Sequence, residues 1–208
     1  MKNSGFVCLL IAAAGDLIIP FVLAPFVENY SHKTMVLSSL GNKSCPVHII
    51  YNTWLAIAGI LFAVGAVALY REFSPVSKGL ATGLTVCILA FGLLACLLSA
   101  FFPVGETKEL TTLSAKIHGI GAVLGFLLLV ISPLLLGIIS FRSGNAGFGI
   151  FSIAMFVLAF ICYALLAMAD KPQFADTPVA WEGVWEHLCL FFAYLPIIAL
   201  SVQKLFGQ

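Results

Sequence analysis

Six apolar runs separated by polar stretches organise this chain, at about 5–27, 49–70, 79–102, 117–141, 147–168 and 186–205. Each approaches or exceeds the ~20 residues that cross about 30 Å of hydrocarbon as a helix. The connectors alternate in length. Residues 71–78 and 142–146 are tight, whereas 28–48, 103–116 and 169–185 are long. Odd and even connectors of a membrane bundle lie on opposite faces, and this alternation fits that plan. The pattern predicts an all-α fold, a polytopic membrane bundle of six transmembrane helices, with residues 1–208 as one domain. The first run continues past Asp16 to Val27, so it reads as a retained span and not as a cleaved signal peptide.

Composition agrees with lipid as the solvent. The chain has 208 residues, of which 62% are hydrophobic and 9% charged, where a soluble domain carries roughly 25% charged residues. The net charge of +1 and the lack of a basic run leave no footprint for nucleic acid. The expected partners are membrane lipids and, at a site, a small molecule or lipid ligand.

Charge then orients the bundle. The face with both termini and the short loops holds Lys2, Arg71, Lys78, Arg142 and Lys204 with Glu72. The other face also holds five lysines, Lys33, Lys43, Lys108, Lys116 and Lys171. The count ties, but the first face packs its cations into fewer loop residues and has both arginines, which predicts cytoplasmic termini. The long loops then lie outside a plasma membrane, with the acids Glu28, Glu106, Glu109, Asp170, Asp176, Glu182 and Glu186. Trp54, Trp181 and Trp185 fall near the outer helix ends and read as an aromatic belt.

Against that background a few residues are out of place. Asp16 lies near the middle of the first span, where an acid costs roughly 2.5–3.5 kcal/mol to insert. Such residues face a bundle interior or a wet cavity and mark function; the bland alternative is a protonated acid bonded to a neighbouring helix. Pro20 and Pro133 remove backbone donors within spans. His48, His118 and His187 open the even-numbered spans, 70 and 69 residues apart. Three imidazoles and a water can hold catalytic zinc, so these three are the candidate metal ligands, although no HExxH spacing supports them. Glu186 or Glu182 is a candidate general base and Ser38 a candidate nucleophile. Residues 34–40 suit a short amphipathic helix with Met35, Val36 and Leu40 toward the bundle or lipid and Gly41 as its cap. Gly121 and Gly125 form a GxxxG pair for close helix approach.

These residues leave three functions open. One is an outer-face pocket for a small molecule or lipid, extending to an intramembrane, metal-dependent hydrolase. In it Ser38, His118, Glu186 and Asp16 are catalytic, and His48, Trp181, Trp185 and His187 bind ligand. The second is a proton-coupled transporter or channel component built on Asp16. The third is a non-catalytic scaffold whose polar residues anchor the interface.

Several short motifs resemble a family of six-span bacterial and archaeal membrane proteins, domain of unknown function 998. They are Ser38-Ser39-Leu40-Gly41 followed by Pro46, Phe102-Pro103 at the end of the third span, His118-Gly119 opening the fourth, and Gly183 before His187. In that family the last position is usually arginine, so His187 is a departure. The resemblance implies six helices and an outer-face site, with no established activity.

Overall fold

The computed structural model describes residues 2–105 and 112–207. Glu106, Lys108 and Glu109 of the third connector lie outside the described residues. Six helices are long and apolar enough to cross a membrane. They are α1 (Lys2–Leu23), α2 (His48–Phe73), α3 (Lys78–Phe101), α4 (Leu113–Arg142), α5 (Ala146–Met168) and α6 (Glu182–Phe206). The protein is a multi-pass membrane protein.

Each helix packs on its neighbours in sequence, and α6 closes back on α1, so the six form a ring. α5 is the most peripheral, with 17% of its most apolar stretch buried against 39–44% in the others. Short connectors hold their geometry locally. Asn145 caps α5 by accepting from the Phe148 amide, and Gly144 adopts the left-handed backbone (φ 78°) that ends α4. At this end Lys204 pairs with Glu72, and Arg142 donates to Ser77 at 3.3 Å.

Two features depart from plain α-helices. α3 contains a π-helical segment, Phe91–Leu97, a wide turn that in other proteins often marks a functional site. The GxxxG face of α4 lies against it. A β-carbon on Gly121 would come within 2.8 Å of the Leu94 carbonyl, and one on Gly125 within 2.7 Å of Ala95. The second departure is Pro133, expected as a helix break. It removes the amide that would bond the Leu129 carbonyl, but the Ser132 hydroxyl donates to that carbonyl at 2.6 Å. The break is repaired within α4, as hydrocarbon requires.

Residues 34–40 do not form the expected helix. A 3-10 helix runs instead over Leu37–Gly41. Its three-residue period suits the buried pair Leu37 and Leu40. Gly41 lies within it and Asn42 is the cap.

Candidate functional site

Asp16 sits at the closed end of the site. It is 6% exposed. The Tyr194 hydroxyl donates to one carboxylate oxygen at 2.7 Å, and the Trp54 indole N–H donates to the other at 3.3 Å. The donors come from α6 and α2, so the acid ties three helices together. Gly15 makes room for this, because a β-carbon there would strike the Trp54 ring. Trp54 therefore turns inward and is not part of an aromatic belt. Pro20 lacks the amide that would reach the Asp16 carbonyl four residues earlier, so the backbone ladder is interrupted at the same residue.

The first long connector roofs the other end. It is pinned to α6 and α2. Glu186 accepts from the Leu37 amide at 2.6 Å, and the Asn52 side chain donates to the Gly41 carbonyl at 2.9 Å. Both ends of the short helix carrying Ser38 are thus held. The Val184 amide donates to the Lys33 carbonyl at 3.4 Å, and Lys33 places its ammonium 4.1 Å from the Trp181 ring centre. Gly183 is needed at this contact, because a β-carbon there would run into the Met35 carbonyl oxygen.

Beside this contact two imidazoles meet. His187 Nδ1 lies 2.6 Å from the Gly183 carbonyl, which only accepts, so that nitrogen carries the proton. In the neutral ring Nε2 is then the acceptor, and His32 Nδ1 donates to it at 3.2 Å. Phe21 stacks on His32 with ring centres 4.4 Å apart. Burial holds His32 below the usual histidine range. Nearby, burial and then the Glu186 charge push the Tyr30 phenol well up.

Between floor and roof lies a cavity of about 60 Å³, room for a few waters. Asp16, Ser38, Tyr51, Cys96, Ser99, His118 and Glu186 supply its polar wall, and Phe91, Phe126 and Leu190 are among its apolar lining. The π segment and the turn after it contribute Phe91, Ala95, Cys96 and Ser99. A larger cleft of about 410 Å³ runs between α4, α5 and α6 and shares Ser38, His118, Ala122, Phe126 and Glu186 with the cavity. Its remaining wall is largely apolar, including Val36, Val123, Leu166 and Ala167. Val123 is 58% exposed, so the cleft reaches the lipid-facing surface.

Of the residues singled out from sequence, Asp16, Ser38, His118 and Glu186 meet in one cavity. The ring of three histidines does not form. Among the described residues no group of three His, Cys, Asp or Glu side chains could hold a metal ion. His48 Nδ1 donates to the Cys45 carbonyl at 2.7 Å, His118 Nδ1 donates to the Phe102 carbonyl at 3.1 Å, and His187 pairs with His32. Opening a helix sets a residue's height but not the direction in which it points. Neither His48, His187, Trp181 nor Trp185 lines the cavity or the cleft. Trp185 donates to the Pro178 and Val179 carbonyls at the helix start. The chain's apolar pattern hid Tyr51, Tyr194 and Cys96, which read as ordinary span residues.

Neither a curated protein nor a solved structure matches the chain. The profile of one family, described as "Protein of unknown function (DUF998)", matches residues 10–203. That match covers nearly the whole bundle, from the helix bearing Asp16 to the helix bearing Glu186 and Tyr194, and the chain belongs to this family.

Proposed function

We propose that the protein holds one lipid-like amphiphile in the outer half of a plasma membrane. Its polar end occupies the cavity of Asp16, Ser38, His118 and Glu186, and its chain lies in the cleft between α4, α5 and α6. One observation carries this reading: a polar cavity and an apolar cleft meet at shared walls, and the cleft reaches the lipid-facing surface. Ligand sites are typically apolar pockets with a few convergent polar groups. Ala122 lines both spaces. A long-chain alcohol bearing a photoreactive group should label the wild-type protein in detergent, and Ala122→Trp should abolish the labelling. Val157→Trp, on the exposed face of α5, is the control. Equal labelling in Ala122→Trp removes the reading.

A second reading, ester hydrolysis in the same site, is favoured by the tautomer of His118. With Nδ1–H committed to the Phe102 carbonyl, Nε2 of the neutral ring is available as a base. Among the described residues no hydrogen bond joins Ser38 to His118, so a bridging water would have to link them. Ser38 Oγ would form a bond to the ester carbonyl carbon as its proton passes through that water to Nε2. The leaving alcohol would then take that proton, and water would release the acid. Fatty-acid release from a long-chain ester should vanish in both Ser38→Ala and His118→Gln. Release unchanged in Ser38→Ala excludes this nucleophile.

A further inference from the structure

The wall of the two spaces is rich in acids. Among the described residues it carries Asp16 and Glu186 in the cavity and Asp170, Glu182 and Glu186 in the cleft, with no lysine or arginine. Among the described residues, then, neither wall supplies a cation to receive an anionic head group. Lys33, within the roof, is turned onto the Trp181 ring and lines neither space.

Asp16 adds a directional argument. Its two hydrogen-bond partners in the structure, Tyr194 and Trp54, are neutral donors. Neither brings a positive charge to the acid. A carboxylate offers about four acceptor sites, so two such bonds leave room for a third donor from the cavity. Aromatic rings complete the surroundings, with Tyr51, Phe91 and Phe126 in the same wall. Aromatic faces attract cations. An acid among aromatic rings, at the end of a small cavity that opens into an apolar cleft, is complementary to an ammonium on an alkyl chain.

We infer that the amphiphile is a long-chain primary amine, with its ammonium against Asp16 among Tyr51, Phe91 and Phe126 and its chain in the α4–α5–α6 cleft. The inference rests on the binding reading given above and narrows it to one head group. A primary ammonium suits the small cavity, and its three donors match Asp16 together with the hydroxyls of Ser99 and Tyr51 in the wall.

The test compares head groups on one chain. Hexadecylamine, hexadecanol and hexadecyl phosphate compete with the photoreactive alcohol for purified protein in a neutral detergent. The amine should compete at least about tenfold more tightly than either other probe. In Asp16→Asn that preference should collapse, the amine and hexadecanol then competing equally. Equal competition by all three overturns the amine assignment, as does tighter competition by the phosphate or a preference that survives in Asp16→Asn. The binding reading fails separately, when hexadecanol does not compete at all or when Ala122→Trp leaves labelling intact. If Asp16→Asn does not fold, the order of the three head groups on the wild-type protein still decides the matter.

Discussion

The two ends of the cavity are held by different means. The floor is side chain to side chain: Asp16 is fixed by Tyr194 and Trp54 across three helices. The roof depends on backbone, with the Leu37 amide, the Gly41 carbonyl and the Lys33 carbonyl each bonded to α6 or α2. In the membrane interior backbone groups are already satisfied within helices, so tertiary contact falls to side chains. At the membrane surface the connector has spare amides and carbonyls, and helix starts can bind them. The floor is therefore expected to be rigid on the scale of the whole bundle, and the roof to open locally without unfolding it.

The sharpest way to break this contrast is Gly183→Val. A side chain there meets the backbone of the roof, which cannot turn away as a side chain could. Undocking should cost about 3 kcal/mol of roof stability, on the order of a hundredfold in the opening equilibrium. Cys45, 8% exposed within the roof, should then react correspondingly faster with a thiol reagent, read by peptide mass spectrometry. Helix content should not change. Unaltered Cys45 labelling contradicts the docked roof.

Tyr194→Phe probes the floor. It removes one donor from a buried acid, at a cost of about 2 kcal/mol. The effect should appear as a lower Tm of the whole bundle in detergent, with Cys45 labelling unchanged well below that temperature. Faster Cys45 labelling would mean that floor and roof open together.

The smallest expected effect is of pH on the roof. Burial lowers the proton affinity of His32 in the docked state, so the open roof binds a proton more readily. Docking is then at full strength above about pH 6.5 and weakens as the pH falls through the open-state value toward the docked one. The ratio of Cys45 labelling rates, wild type over His32→Gln, cancels the thiol's own pH dependence. It should rise between pH 7.5 and pH 5, and a flat ratio would show that His32 takes no part.

The bundle was legible in the sequence because lipid demands long apolar runs, and six of them cannot be hidden. Asp16 was legible as an acid in the wrong solvent. Its partners were not. Tyr194 and Trp54 lie on other helices, and only packing sets the direction in which they point. The histidine ring was misread for the same reason. Position along a helix gives depth, whereas convergence also needs rotation about the axis. Ser38 was found through its loop, but its 3-10 geometry depends on contacts from Glu186 and Asn52, far away in the chain. The π segment Phe91–Leu97 left no mark, because nothing in its composition opposes an ordinary α-helix.

That segment acts as an indexing step in α3. Each residue of an α-helix advances about 100° around the axis. A wide turn absorbs additional chain without the full advance and so resets the angle of everything beyond it. Ser99 in the cavity wall and the Phe102 carbonyl that orients His118 both lie beyond it. Deleting one residue between Phe91 and Leu97 would let the turn close to regular α geometry while keeping a membrane-length helix. The span would persist, but Ser99 and the support for His118 would be turned away from the cavity. In α3 membrane insertion and site assembly are thus encoded separately, the first by apolar length and the second by a local change of pitch.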